Sequence, residues 1–349
     1  MKLHEIGEFG LIDRLAAILP QDGKRVVLAV GDDCAVLDMG SPSDPGRGYW
    51  VWTTDASIEN RHYLPWLATP EQIGYKVMIT NLSDVASMGA SPRFATVSLS
   101  APADGSVEWT EGLYRGLAAA AAANGTVIVG GNTTRSPIGF SVDVGLLGEV
   151  ERDRLMLRSG ARPGDALLVT DTVGDAYCGL ECVFKPQIPV PQEARDHLIH
   201  RYIAPASRVR EGRVISGSRL ATAMMDVSDG LAGDVAHICE RSRVGVEIDV
   251  RALPLSSEVR AFASAARDAG ISPFPAWRYA LVGGDDYGLL LTCPEREAKA
   301  LARLVADETG TTLTRIGTVT PPEKGQTLVL DDGRTAPLDL GSWQHFGME

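Results

Sequence analysis

The chain has 349 residues, 44% of them hydrophobic and 22% charged; at roughly 100 to 200 residues per domain this predicts two domains or one large one and excludes a disordered polyanion or a fibre. Its 33 Lys and Arg against 45 Asp and Glu leave a net charge of −12, which argues against non-specific nucleic-acid or anionic-membrane binding while leaving room for a local basic pocket. Cys34, Cys178, Cys182, Cys239 and Cys293 are odd in number and scattered, no disulfide framework, and point to a reducing compartment. The first ten residues carry both charges and lack an apolar run of signal-peptide length. No stretch approaches the roughly 18 to 20 apolar residues of a membrane span, so a cytoplasmic location is expected.

Taken in order, VVLAV precedes Gly31-Asp32-Asp33 and YWVWTT precedes Asp55, each an apolar run of strand length ending in acidic punctuation. Residues 70–90 carry Ile73, Val77, Val85 and Met88 at helical spacing. Asn81 and Asp84 fall on or beside that stripe, where a carboxylate is unfavourable unless paired or cation-bound; alternatively, Ser83-Asp84 breaks the pattern and caps a second helix. Residues 105–125 form an alanine-rich helix without visible chemistry. TVIV then precedes Gly130-Gly131-Asn132, and Pro163-Gly164-Asp165 turns the chain into a second region. There, Cys178 and Cys182 read as two small apolar residues on one helix face, and proline-rich 185–196 as a surface connection. ATAMM precedes Asp226, Ser228 is placed to cap a helix through residue 242, and YALV precedes 283–286 as a further strand. His197 and His200, three apart, could share a helix face.

The P-loop, GxGxxG, HExxH and GxSxG signatures are all missing. The chain offers instead Asp32, Asp33, Asp55, Asp84, Asp226, Asp229, Asp285 and Asp286, nearly all at the ends of apolar runs or beside Gly. Each alone is most often a turn residue. Brought together, they would repel unless protonated or neutralised by cations, and all-oxygen ligands favour Mg²⁺ over zinc. Magnesium on aspartates completes its shell with water and phosphates, which points to nucleotide chemistry.

GEFGLI (7–12), GDDCAVL (31–37), TTD (53–55) with His62, NLSDVASMGASP (81–92), GGNTTRSP (130–137), RSGARPGD (158–165), DVSDGLAGD (226–234), GGDDYGLLLT (283–292) and SWQHF (342–346) together resemble, in sequence order, the thiamine-monophosphate kinase family. The resemblance implies an α/β (α+β) protein with the two-domain aminoimidazole ribonucleotide synthetase-like fold: an N-terminal domain, 1–150, binding ATP and metal and forming a homodimer, and a C-terminal α/β domain, 151–349, closing the substrate cleft. It also implies transfer of the γ-phosphoryl group of ATP, with Mg²⁺, onto the phosphate of thiamine monophosphate. Carried over by motif, Asp33, Thr53, Thr54, Asp55, Asp84, Asn132, Asp226 and Asp229 are expected at metal sites. Gly131, Asn132, Arg158 and Ser228 are expected to contact ATP, and His62, Asp285 and Trp343 the substrate. No residue is expected as nucleophile or general base, because the attacking group is already a phosphate oxygen.

Three positions, and the stretch ASIENRHY after Asp55, depart from the family pattern. Asn132 stands where an aspartate is usual, Asp285 shortens a glutamate, and Gly288 replaces another acidic residue. They leave two alternatives: a kinase of the same fold acting on another phosphorylated metabolite, and a non-catalytic nucleotide-binding dimer.

Overall fold

Apolar alternation in the first part of the chain builds one sheet. The computed structural model describes residues 3–19, 23–38, 40 and 48–339; Trp343 and the 342–346 motif lie outside them. The first part comprises α1 (Gly7–Ala16), β1 (Val26–Leu28), β2 (Ala35–Leu37), β3 (Tyr49–Ile58), α2 (Pro70–Ser87), β4 (Ser91–Ala101), α3 (Val107–Ala123), β5 (Val127–Arg135) and β6 (Ser141–Val150). Its six strands run in the order β1-β2-β3-β6-β4-β5. Val51, Val97, Leu99, Val142, Val144 and Leu146 face inward, against Ile73, Val77, Leu82 and Val85 of α2 and Leu113 and Leu117 of α3. The outward face is left bare: Trp52, Phe94, Val127 and Val129 are all exposed.

Thr69 starts α2 with a capping box, its hydroxyl accepting from the Gln72 N–H at 3.3 Å and the Gln72 amide oxygen accepting from the Thr69 N–H at 2.9 Å. Pro70 occupies the first turn. The helix approaches α3 so closely that a Cβ on Gly74 would lie 1.9 Å from the Leu113 carbonyl oxygen, and one on Gly116 1.9 Å from that of Glu71. It passes unbroken through Ser83-Asp84, so these residues do not cap a second helix. Their side chains find partners outside the helix and so do not compete with its hydrogen-bond ladder.

The second part holds β7 (Asp165–Thr170), α4 (Asp175–Phe184), α5 (Gln192–Ile203), α6 (Val209–Ser218), β8 (Ala223–Val227), α7 (Leu231–Ser242), β9 (Gly245–Asp249), α8 (Ser257–Asp268), α9 (Ala276–Val282), β10 (Gly288–Pro294), α10 (Ala298–Thr309), β11 (Leu313–Thr320), β12 (Gln326–Val329) and β13 (Thr335–Pro337). Its seven-stranded sheet runs β13-β12-β9-β11-β7-β10-β8. Residues of α7 and α9 pack on one face and residues of α6 and α10 on the other, which is why DALLVT of β7 is buried at every position.

Three local expectations fail here. YALV belongs to the helix α9, not to a strand; a four-residue apolar run has too little periodicity to tell the two apart, and Ala276-Trp277-Arg278 extends it after Pro275. The 185–196 segment is no simple surface connection. Ile188 and Val190 are buried, Arg195 donates to the carbonyls of Cys182 at 2.6 Å and Ile188 at 2.7 Å, and α5 begins at Gln192. Ser228 caps no helix, since α7 starts after Gly230 without a side-chain cap. All five cysteines are buried and free, and Cys178 and Cys182 share the apolar core of α4 with Phe262. His197 on α5 lies 3.6 Å from Asp175. No helix among the described residues is long and apolar enough to cross a membrane.

Candidate active site

The two parts enclose a cavity of about 640 Å³, and α2 is the wall they share. At one end, carboxylate oxygens of Asp33, Asp84 and Asp226 all lie within 4.8 Å of one another. They come from the turn after β1, the last turns of α2 and the end region of β8. Hydroxyls of α2 brace them: Ser87 donates to Asp33 at 2.5 Å and Ser83 to Asp226 at 2.8 Å. Thr53 of β3 donates to Asp84 at 2.5 Å. Arg158, on the link between the two sheets, donates from Nε to Asp33 at 2.8 Å and pairs with the same carboxylate through Nη2, while its backbone N–H donates to Asp32 at 3.1 Å.

This crowding sets the protonation. Burial, then the charges of Asp55, Asp226 and Asp33, push the Asp84 carboxyl well above its usual range. Burial and Asp33 push Asp226 up to about 8, and burial and Asp33 push Asp32 to about 7. Asp229 rises to about 7 through burial and then the charges of Glu8 and Asp285. Asp234, in the first turn of α7, is also buried, and burial leads the rise of its carboxyl. Burial and mutual repulsion thus oppose ionisation of these carboxyls, and a positive charge placed among them would relieve both.

The opposite end is aromatic. Tyr63, Tyr177, Tyr202 and Tyr287 line it with Ile73 and Leu180. The Lys76 ammonium of α2 is nearly buried, 3.0 Å from Asp285 and 3.6 Å from the centre of the Tyr202 ring. Asp285 also accepts from the Tyr287 hydroxyl at 2.8 Å. A third stretch of wall joins α1 to α7, with Phe9 and His237 at a centroid distance of 4.6 Å and Arg241 beside Gly31. Burial, followed by the charge of Arg158, holds His237 down to about 4.

Of the residues expected from sequence, Asp33, Thr53, Thr54, Asp55, Asp84, Arg158, Asp226, Ser228, Asp229, His62 and Asp285 all border this cavity. Thr53 and Asp55 share the covered face of β3, whereas Thr54 alternates to the exposed face. Asp55 is held by its backbone N–H, which donates to Asn81 at 3.2 Å. His62 Nδ1 accepts from the Ile58 N–H at 3.0 Å, which places the ring proton of the neutral form on Nε2. Ser228 accepts at its carbonyl from the Asp285 N–H at 2.9 Å.

Gly131 and Asn132 are not brought in. They lie on exposed β5 at the sheet edge, and the row Gly131–Val97–Val144–Asp55 separates Gly131 from Asp55 by three strand spacings, about 14 Å. A close approach explains Gly131 structurally, since a Cβ there would lie 1.8 Å from the Val97 carbonyl oxygen. Lys76, Tyr202 and Tyr287 were missed by motif reasoning; the signal available was a lysine set between Ile73 and Val77 in an apolar helical stripe.

The family model for AIR synthase related protein, N-terminal domain, matches residues 31–150, and that for the C-terminal domain matches residues 162–329. Thiamine-monophosphate kinase of Escherichia coli K12 is 34% identical over 97% of this chain and 98% of its own, and that of Aquifex aeolicus is 35% identical over 99% of this chain and its full length. The solved structure of AaThiL complexed with AMPPCP and TMP superposes with a TM-score of 0.80 at 33% identity, covering 99% of each chain. Escherichia coli HypE, a hydrogenase maturation protein, shares the fold with a TM-score of 0.66 at 18% identity, covering 84% of this chain and 86% of its own. With its acidic cavity between two sheets and these relatives along nearly its whole length, the chain belongs to the thiamine-monophosphate kinase family.

Proposed function

We propose that the chain transfers the γ-phosphoryl group of ATP to the phosphate of thiamine monophosphate, releasing thiamine diphosphate and ADP. The observation that carries this reading is the meeting of Asp33, Asp84 and Asp226 from three distant stretches of sequence. The relative crystallised with AMPPCP, an ATP analogue, and TMP supports the choice of both substrates. The cluster suits Mg²⁺: its donors are all oxygen, and burial together with mutual repulsion leaves the ionised carboxylates in need of a counter-charge. Asp33, Asp84 and Asp226 would hold the ions, with Asp55 and Asp229 at the margins. Held by these residues, Mg²⁺ would supply charge neutralisation for the reacting phosphates.

The chain's own groups do the rest by placement. Arg158 offers a planar fork next to Asp33 for phosphate oxygens, and Thr53, Ser83 and Ser87 lock the carboxylates that face them. The aromatic end takes the acceptor's rings, and His62 and Asp285 supply polar contacts there. No side chain has to remove a proton, because the acceptor oxygen belongs to a phosphate; in-line alignment and charge neutralisation supply the rate.

The working unit in this reading is a homodimer. The edge strand β5 and the bare face with Trp52, Phe94, Val127 and Val129 form the kind of surface that proteins cover. A metal or ATP role for Gly131 and Asn132 requires such a partner, since one chain keeps them away from its own cavity. The test is ADP release from ATP and Mg²⁺ with thiamine monophosphate beside a panel of other phosphorylated small molecules. Release with thiamine monophosphate is expected; release only with another acceptor reassigns the substrate, and ATP binding without turnover removes the enzyme.

A further inference from the structure

Lysine is rarely buried unless paired, yet the Lys76 side chain is 8% exposed in the middle of a helix whose neighbouring turns feed an apolar core. Burial lowers the readiness of its ammonium to stay charged, and Asp285 opposes that effect. The pair crosses between the two parts of the chain, α2 on one side and the loop before β10 on the other. That loop is held firmly: the Asp285 N–H donates to the Ser228 carbonyl at 2.9 Å and the Tyr287 N–H to that of Val227 at 2.8 Å. Asp285 sits at φ +68, a left-handed conformation that Asp and Asn tolerate better than most residues. Its carboxylate accepts from Lys76 on one oxygen and from Tyr287 on the other. A carboxylate has about four lone-pair sites, so acceptor capacity remains, and the side chain is 33% exposed on the cavity wall.

The location fits an acceptor of two linked rings. Lys76 precedes Asp84 by eight residues on the same helix, about 12 Å along its axis. A phosphate at the carboxylate cluster would therefore leave the far ring of the acceptor near Asp285. Without a counter-charge, a carboxylate that already acts on Asp229 would compete for cations meant for the phosphates.

We propose that Lys76 is a positioning residue for the acceptor: with Tyr287 it clamps the Asp285 carboxylate, so that Asp285 reads a ring amine by hydrogen bonding and does not act as a further metal ligand. The inference rests on the thiamine-monophosphate reading and adds to it the group that sets acceptor specificity. The acceptor class is an aminopyrimidine-bearing phosphate ester; the amine donates and Asp285 accepts.

The test uses the full-length chain with Lys76→Met, Lys76→Arg, Asp285→Asn and the double variant Lys76→Met/Asp285→Asn. Each is assayed with thiamine monophosphate and with its analogue carrying a carbonyl in place of the pyrimidine amine. The native chain is expected to favour the amine by about tenfold or more in kcat/KM, the scale of one charge-assisted hydrogen bond. Lys76→Met is expected to raise the KM for thiamine monophosphate by a similar factor, leave the KM for ATP within about twofold, and erase the preference for the amine. Lys76→Arg should restore part of it, and the double variant should be no worse than Asp285→Asn alone. A Lys76→Met chain that keeps its amine preference, or whose two KM values move together, overturns the proposal. If the native chain fails to turn over thiamine monophosphate, the proposed reaction falls first. Calorimetric binding of thiamine monophosphate then decides the positioning role: binding by the native chain that is lost in Lys76→Met sustains it, and equal binding or none overturns it.

Discussion

Asp84→Asn should separate the electrostatic load of the site from its chemistry. Oxygens of Asp33, Asp84 and Asp226 lie within 4.8 Å of one another, and at an effective dielectric of about 20 each ionised pair at that separation repels by about 3.5 kcal/mol. Proton uptake relieves part of this, since the Asp84 and Asp226 carboxyls are pushed up, and Arg158 offsets part of the Asp33 charge. The net relief on neutralising Asp84 without metal is then of order 1–2 kcal/mol. The amide oxygen still accepts from Thr53, so the bond at 2.5 Å has a counterpart. At about 2–4 °C per kcal/mol for domains of this size, the variant in chelator at pH 8 should melt several degrees above the native chain. Magnesium should reverse that order: the native chain gains about 2.7 kcal/mol at a hundredfold excess over Kd, and the variant loses most of this gain. Turnover should fall by at least about a hundredfold. Scanning calorimetry with and without Mg²⁺, beside an ADP-release assay, reads all three. A variant that is less stable in chelator yet keeps the native response to Mg²⁺ would refute the carboxylate cluster as a cation site.

Three further outcomes are expected. Asp226, Asp229 and Asp32 are raised from 3.8 to about 8, 7 and 7, so between pH 4 and 8 the folded chain holds protons that the unfolded chain has released. Their contribution to stability therefore falls as pH rises across that window, by at most about 1.4 kcal/mol per unit for each proton; melting in chelator should drop from pH 6 to pH 8, and Mg²⁺ should flatten the slope. Asn132→Asp should lower the Mg²⁺ concentration for half-maximal rate only in a dimer, so a Mg²⁺ titration paired with light scattering should show no shift in any variant made monomeric at Trp52 and Phe94. Gly116→Ala would drive a Cβ to 1.9 Å from the Glu71 carbonyl oxygen and should lower unfolding stability by about 3 kcal/mol, measured as a fall in urea midpoint.

Motif order alone made most of the acidic end legible, because aspartates that close apolar strands must emerge at strand ends, and there they meet. Asp84 was harder to read, since a Ser-Asp step at a helix has the same local appearance whether it caps a helix or lies within one; only the packing of α2 between both sheets brings its carboxylate to those of Asp33 and Asp226. The aromatic end was invisible for a different reason. Lys76, Tyr202 and Tyr287 come from α2, α5 and the loop before β10, and each fits a local pattern in which it needs no function. Gly131 and Asn132 show the converse: sequence order groups them with the other motifs, whereas strand order puts them at the sheet edge, away from the cavity of their own chain. YALV was misread because four apolar residues suit either backbone and tertiary burial makes the choice.

The aspartates that face one another are not all borne by one lobe. Asp33 and Asp84 ride with the first sheet, whereas Asp226 is rooted in the second, with the hydroxyl of Ser83 as its tether across the divide. A cation seated among these carboxylates would tie the two sheets to each other while it offset their repulsion, so ion binding would add to the bond that already joins the halves.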